Sequence, residues 1–465
     1  MKNTLCVILA AGAGTRMHSV TPKMLHTVSG RPIIEHVVRH VINAGFQHIA
    51  VVVGWHSDDV KALLKKAFSK EDIKFILQPE QRGTGDALHV AMEEADRYKN
   101  VLVLNGDQPL LSPETLKTVH GYFRENKMDL VMLSSLLEDP TGYGRIIRDD
   151  EYHALGIIEE KDADDDILMN NEAYVGVLEG KVGFLNEFLA QADTDNAQEE
   201  YYITDSLKYA AQKGVKFEVL PEADDFEAMQ VNNRMELSRV EAVMNWIVVS
   251  ELMENGVTIR MPETVFVEIG CEVGQDTEIL PMVRLINGTV VGKGCRIDQG
   301  TILSNMRIGD ECGIGPYNFL EDSELEPGVS TGPFNHIRPN TLVKTGAKLG
   351  NYVELKHSVI DGGSMVNHQS YIGDAQIGKN VNVGAGTITC NYDGYNKHPT
   401  IIEDGVFIGS DTQLVAPVNV GKEAYIGAGT TVTKNVPKGA LALSRIPQTH
   451  IIGYSDRKKT KAEED

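Results

Sequence analysis

The sequence predicts two fold classes in one chain, an α/β domain followed by an all-β coil of stacked short strands. Three observations carry this. Up to about residue 229, apolar strand-like runs alternate with helical patterns, the signature of βαβ units and a mostly parallel sheet. From Val257 to near Ile451 helical patterns vanish, and aliphatic residues recur at steps of six, as at Val291, Ile297 and Leu303, or at Ile408, Leu414, Val420, Ile426 and Val432. That period fits neither a helix nor an alternating strand, and it marks a parallel β-helix whose turns stack on one another. Between the two, Val240, Val243-Met244, Ile247-Val248 and Leu252 repeat at helical spacing, so residues 230–254 are expected as an amphipathic linker helix opened by Asn232-Asn233.

Composition narrows the function classes. The 465 residues, 42% hydrophobic and 24% charged, leave room for two or more cores. A formal charge of -22 disfavours a general nucleic-acid surface, although local basic residues can still grip a small anion. The apolar run 5–11 follows a single lysine and is too short to span a bilayer, so it reads as a buried strand; no signal peptide, membrane segment or stable membrane association is expected. Five scattered cysteines without CxxC spacing argue against a disulfide framework or zinc site and fit a reducing cytoplasm.

In chain order, strands are expected at 5–11, 49–53, 73–77 and 101–105, with helices at 33–44, 60–68 and 87–95. Ligands of such sheets sit beyond the carboxyl ends of the strands. There the first loop reads Ala10-Ala11-Gly12-Ala13-Gly14-Thr15-Arg16-Met17. Its glycines let backbone N–H groups approach phosphate oxygens, and Arg16 adds a forked donor. It lacks the third glycine of a dinucleotide fingerprint and the GK[ST] ending of a P-loop, but Pro22-Lys23 follows closely. The turn QPEQRGTGDA, from Gln78, suits the placing of backbone and amide groups around a base. The strand VLVLNGD ends in Asp107, either a helix cap or an oxygen ligand for Mg2+. In the coil, the stretch from His368 to Gly394 sets a histidine and an Asn-Tyr pair at the ends of a run carrying Ile372-Gly373, Ile377-Gly378 and Val383-Gly384. The charged tail 455–465 reads as disordered.

The motifs LAAGAGTRM, PKMLH, QPEQRGTG, NGDQPL, GYGRI, IEEKDA, EEYYITD and VNNR, then GPFNHIRP, GNYVELK, HQSYIGD, NVGAGTITCNYDG, GSDTQLVAPV and SRIPQ, follow one another along nearly the whole chain. In this order the sequence resembles the bifunctional N-acetylglucosamine-1-phosphate uridylyltransferase/glucosamine-1-phosphate N-acetyltransferase family. NVGAGTITCNYDG is highly specific, whereas sugar nucleotidyltransferases of many kinds share variants of the first motif. The resemblance implies a Rossmann-like nucleotidyltransferase domain at 1–229, the linker helix at 230–254, a left-handed β-helix of hexapeptide repeats at 255–454 that transfers acetyl groups, and the tail. It implies a cytoplasmic homotrimer making UDP-N-acetylglucosamine for bacterial envelope polymers, with UTP and acetyl-CoA as substrates and Mg2+ for uridylyl transfer. The alternative is a single-activity sugar-1-phosphate nucleotidyltransferase whose β-helix is structural or regulatory.

Carried over residue by residue, Leu9, Ala10, Ala11, Gly12, Gly83 and Thr84 hold the nucleotide, with Gln78 on the base. Arg16 and Lys23 neutralise phosphates, and Asp107 with Asn232 match the metal pair. Gly144 and Glu159 match residues lining the sugar, and Asn105, Gly106 and Tyr174 fall at positions expected to bind UTP or UDP-N-acetylglucosamine. His368 matches the general base of acetyl transfer, a role that suits a neutral imidazole. Arg338 and Lys356 match phosphate-binding positions, Tyr371 and Asn382 surround the sugar, and Glu354 orients the amine. Ala385, Asn391, Tyr392, Ser410, Ala428 and Arg445 match positions lining acetyl-CoA.

Three positions depart from the family pattern. Asn105 stands where tyrosine is common, Tyr174 where an asparagine contacts the sugar, and Asp86 where a histidine often follows GTG. A remodelled sugar pocket is expected, with Tyr174 taking the room left at position 105 and a weaker preference for the N-acetyl sugar over glucose 1-phosphate.

Overall fold

The computed structural model describes residues 1–54, 57–221 and 223–464, and the chain divides into two compact units, Met1–Asn245 and Trp246–Asp465. In the first unit, strands β1 (Thr4–Ala10), β2 (Ile49–Val53), β3 (Ile73–Leu77) and β4 (Asn100–Asn105) alternate with helices α1 (Ile33–Asn43), α2 (Ser57–Ala67) and α3 (Thr84–Ala95). Helix α4 (Pro113–Glu125), with Ser112 as its N-cap, leads to β5 (Leu130–Leu136). The hairpin β6 (Arg145–Arg148) and β7 (Ala154–Ile158) precedes β8 (Glu172–Lys181), α5 (Val182–Leu189), α6 (Asp205–Lys213) and β9 (Phe217–Leu220). The sheet order is β9-β5-β8-β4-β1-β2-β3; β8 runs antiparallel between β4 and β5, and the other neighbours along this path are parallel.

Side chains of one strand alternate between the two faces, so both faces of this sheet must be covered. Cys6 and Ile8 of β1 pack with α1, α2 and α4, whereas Leu5 and Val7 pack with α3, α5 and α6. Each fully buried aliphatic side chain contributes about 1.5–3 kcal/mol relative to exposure. This double layer holds the carboxyl ends of β1 and β4 in fixed register, Leu9 opposite Asn105, where the loops of interest begin.

Helix α7 (Arg234–Glu254) spans the division between the units. Val240 and Met244 join a small cluster with Met17, Val28, Ile33 and Leu110, whereas Val249, Leu252 and Met253 belong to the core of the second unit. Ile247 is exposed, so the single apolar stripe expected from the sequence is replaced by two successive apolar groups.

The second unit is a left-handed parallel β-helix, with one strand ladder of 19 strands and another of 9. Each six-residue step moves the chain to the next face. Ile279, Ile297, Ile314, Thr331, Leu349, Val366, Val383, Ile408 and Ile426 therefore stack in one column, while Val291, Ile308, Leu325, Val343, Ile360, Ile377, Ile402 and Val420 stack in another. At one corner Tyr317, Phe334 and Tyr352 stack face to face at 5.5 and 5.3 Å. Where a disordered tail is expected, the structure has a helix, α8 (Tyr454–Glu464), whose residues 454–459 are exposed. Its Lys, Arg, Ala and Glu residues are good helix formers, and no glycine or proline interrupts them.

Candidate functional sites

In the first unit a cleft of about 810 Å³ opens at the carboxyl ends of β1 and β4. Its floor includes Leu9, Ala11, Gly12 and Gly14 from the loop after β1. Gly14 has φ 63°, and a Cβ there would come within 2.6 Å of the Lys23 Cβ; a glycine lets the lysine cross close behind the loop. Lys23 Nζ then reaches Asp107 Oδ2 at 2.5 Å and Asn232 Oδ1 at 3.0 Å. The other Asp107 oxygen, Oδ1, is buried and has no hydrogen-bond partner among the described residues. Arg16 lines the same cleft beside Met17, which the α7 cluster buries and whose carbonyl accepts from Arg234 Nε at 3.3 Å.

Gln78, Gly83, Thr84, Asn105 and Glu159 line the remaining walls. Burial pushes the Glu159 carboxyl up despite a 2.8 Å hydrogen bond from Thr204 Oγ1. Ala10, Gly106, Gly144 and Tyr174 stand behind the walls rather than on them. Gly144 abuts Glu159, and its carbonyl accepts from the Tyr174 N–H at 2.9 Å. The Tyr174 side chain packs against the apolar layer of α3, α5 and α6, and burial raises its hydroxyl far above the ordinary range. The room beside Asn105 is therefore taken not by the Tyr174 side chain, contrary to the expectation from sequence, but by Gly176, at φ 78°, where a Cβ would be closely approached by both the Asn105 and the Gln108 side chains. Sequence reading gave no role to Gln81, Lys161, Gln198 or Gln230, which also line the cleft. Gln81 Nε2 donates to the Ala11 carbonyl at 2.6 Å, and Lys161 Nζ to Gln198 Oε1 at 2.5 Å. Gln81 and Lys161 lie inside motifs quoted above, but only the fold brings them inward.

In the β-helix, the strands Lys348–Lys356 and Met365–Gly373 pair in parallel, which sets Asn351 against His368 and Glu354 against Tyr371. His368 is exposed, and its Nδ1 lies 3.2 Å from Asn351 Oδ1. An amide oxygen can only accept, so this contact suits the tautomer with its proton on Nδ1 and the lone pair on Nε2. Arg338 Nη1 meets Glu354 Oε1 at 3.0 Å. Lys356 is held below the ordinary lysine range, first by the charge of Arg338 and next by that of Lys397, a cation the sequence reading missed. Asn382 pairs with Met365, three residues before His368 on the same strand.

Asn391 Nδ2 donates to Asp374 Oδ2 at 2.5 Å, and His357 Nδ1 lies 2.7 Å from Asp374 Oδ1. Burial would raise the Asp374 carboxyl, but these hydrogen bonds and the Lys397 charge outweigh it and hold the group low. The exposed Tyr392 follows in a loop that Asp393 closes by accepting from the N–H groups of Asn396 and Tyr395 and from His398; the same bonds hold its carboxyl at about 2. Ala385, Ser410 and Ala428 fall on successive coils: Asp411 N donates to Ala385 O at 2.7 Å, Gly429 N to Ser410 O at 2.8 Å, and Arg445 Nη2 to Ala428 O at 2.9 Å.

No described helix is long and apolar enough to cross a membrane. Residues 6–156 match the family model of the MobA-like NTP transferase domain, and residues 399–434 that of the bacterial transferase hexapeptide, six repeats. A relative from Pelobacter propionicus, named bifunctional protein GlmU, is 42% identical over 99% of this chain and 100% of its own. Another of that name, from Sorangium cellulosum, is 42% identical over 98% of this chain and 96% of its own. Among solved structures, a UDP-glucose pyrophosphorylase complexed with UDP-glucose matches at TM-score 0.45 and 18% identity, over 52% of this chain and 98% of its own. A putative glucose-1-phosphate thymidylyltransferase from Bacillus anthracis matches at TM-score 0.44 and 19% identity, over 52% and 94%.

Proposed function

From the premise that this chain belongs to the GlmU family of bifunctional enzymes, uridylyltransferase and acetyltransferase in one polypeptide, we propose how its residues divide the two reactions. UTP, acetyl-CoA and amino-sugar 1-phosphates are the substrates. The single-activity alternative is not favoured, because the bifunctional relatives align over both units.

Uridylyl transfer belongs to the cleft of the first unit. An oxygen of N-acetylglucosamine 1-phosphate attacks the α-phosphorus of UTP, the bond to the β-phosphate oxygen breaks, and pyrophosphate leaves. Positioning and charge neutralisation supply the catalysis. Arg16 and Lys23 face the phosphates, Leu9 to Gly12 with Gly83 and Thr84 hold the nucleotide, and Gln78 faces the base. Asn105 and Glu159 meet the sugar, backed by Gly106, Gly144 and Tyr174. The observation that carries this reading is the convergence of Lys23, Asp107 and Asn232. The unpartnered Asp107 Oδ1 and the Asn232 Oδ1 are hard oxygen donors that would hold Mg2+, which would supply positive charge against the phosphates.

Acetyl transfer belongs to the β-helix. The amine of glucosamine 1-phosphate attacks the thioester carbonyl, the C–S bond breaks, and His368 Nε2 takes the amine proton while Asn351 holds the other ring nitrogen. Arg338, Lys356 and Lys397 hold the phosphate, Tyr371 and Asn382 the sugar, and Glu354 the amine. Asn391, Tyr392, Ala385, Ser410, Ala428 and Arg445 receive acetyl-CoA. His368 lies on an open face, which supports a homotrimer whose neighbouring coil completes the pocket, and the substrates suit a cytoplasmic enzyme.

Two substitutions test the division. His368→Ala should lower acetyl transfer by roughly 10²–10⁴-fold and leave uridylyl transfer intact; Asp107→Ala should do the converse. Parallel loss of both activities from either substitution would overturn the assignment.

A further inference from the structure

The amide of Gln78 is not free to turn. It follows β3 and packs against the first turn of α3, where Asp86 sits; the two residues are only 4% and 6% exposed. Gln78 Nε2 donates to Asp86 Oδ2 at 2.8 Å and to the Gly83 carbonyl at 3.3 Å. The second carboxylate oxygen of Asp86 accepts from Arg82 Nη2 at 3.1 Å. An ionised carboxylate has no proton to give, so the flipped amide would set Gln78 Oε1 against Asp86 Oδ2, two acceptors with no hydrogen between them. Burial removes the water that could relieve the clash. Both N–H bonds of the Gln78 amide are thus committed to acceptors behind it. Toward the cleft that it lines, the side chain can offer only its carbonyl oxygen.

We propose that Asp86 is a positioning residue that sets nucleotide specificity in uridylyl transfer. By locking the Gln78 amide it makes the pocket read a ring N–H, the imide proton of uracil. Cytosine presents a lone pair at that ring nitrogen, which would face the Gln78 oxygen acceptor to acceptor. The inference rests on the reading that Gln78 faces the base of UTP. Arg82 contributes by pinning the carboxylate from the solvent side.

The test compares kcat/KM for UTP and CTP in the full-length protein, with N-acetylglucosamine 1-phosphate as acceptor and acetyl transfer as the control for folding. The unmodified enzyme should prefer UTP by at least about 10²-fold, since a buried unpaired polar contact is strongly rejected. In Asp86→Asn the new amide can turn either its oxygen or its nitrogen toward Gln78, so the UTP:CTP ratio should fall at least about 10-fold while acetyl transfer is unchanged. The unmodified enzyme provides an independent measurement: 5-methyluridine triphosphate, which keeps the imide proton, should be used within about 10-fold of UTP, and 3-methyluridine triphosphate, which lacks it, should be rejected as strongly as CTP. A UTP preference that survives Asp86→Asn overturns the role of Asp86 and leaves Gln78 as the base reader. An unmodified enzyme that uses UTP, CTP and 3-methyluridine triphosphate equally overturns the base-reading role of Gln78 and, with it, that of Asp86.

Discussion

Lys356 stands among charges of its own sign. Because Arg338 and Lys397 hold its ammonium below the ordinary lysine range, it loses its proton at lower pH than an isolated lysine would. Phosphate affinity should therefore weaken early on the alkaline side. Lys397→Met removes one repulsive charge and raises the Lys356 pKa, so the alkaline limb of binding should move to higher pH even as affinity at neutral pH falls. Calorimetric titration with N-acetylglucosamine 1-phosphate, which has no amine to titrate, from about pH 7 to about pH 10 measures both effects as the difference between the two proteins, in which binding at the unchanged cleft of the first unit cancels; a limb that stays in place would separate Lys397 from Lys356. Arg338 and Lys356 drew attention in the sequence because they lie in recognisable motifs. Lys397 and Asn351 were not assigned, since the fold alone sets them beside their partners. A signal was nevertheless present, because Asn351 with His368, His357 with Asp374, and Asp374 with Asn391 are each 17 residues apart, one coil of this helix.

Among the elements, α7 departs most from its sequence expectation. Its apolar spacing suggested one stripe, but a periodic pattern does not say whether successive turns serve the same core. Val240 and Met244 complete the cluster around Met17, next to Arg16, and Val249 completes the core of the β-helix. A fragment ending at Met229 therefore loses Val231, Val240 and Met244 as well as Asn232. With each buried aliphatic worth about 1.5–3 kcal/mol, it should melt well below a fragment ending at Glu254 and retain little uridylyl transfer. Melting temperatures of the two fragments check this, and equal values would mean that α7 adds nothing to the first unit. By contrast, β1, β2, β3 and β4 fall within a residue of their expected bounds: β1, β2 and β4 are short apolar runs buried on both faces, which leaves little choice of register, whereas β3 is a half-buried edge strand held by its pairing with β2.

At the scale of the whole molecule, the cleft draws its walls from one chain, whereas His368 and its neighbours occupy an open face. If the proposed trimer completes that face, light scattering should give about three times the chain mass of 51.0 kDa. Acetyl transfer per chain should then fall on dilution below the dissociation constant while uridylyl transfer per chain stays constant. A monomer with full acetyl transfer would refute the shared pocket. The β-helix was legible because a six-residue step is a direct image of its three faces, but nothing in that step speaks of neighbouring copies.

The stacking of Ala385, Ser410 and Ala428 has a further consequence. Parallel coils are spaced by the hydrogen bond that joins them, roughly 4.8 Å, and that spacing does not depend on which side chains are present. The column from Gln369 through Ala385 and Ser410 to Ala428 is therefore a graduated rule, with His368 near its origin and Arg445 fastened to its third mark. Lengthening the solenoid before Gly313 would leave that graduation untouched. One coil added between Ser410 and Ala428 would lengthen it by a single division, and if acetyl-CoA lies along it as proposed, a thioester carrier of fixed reach could no longer touch both ends.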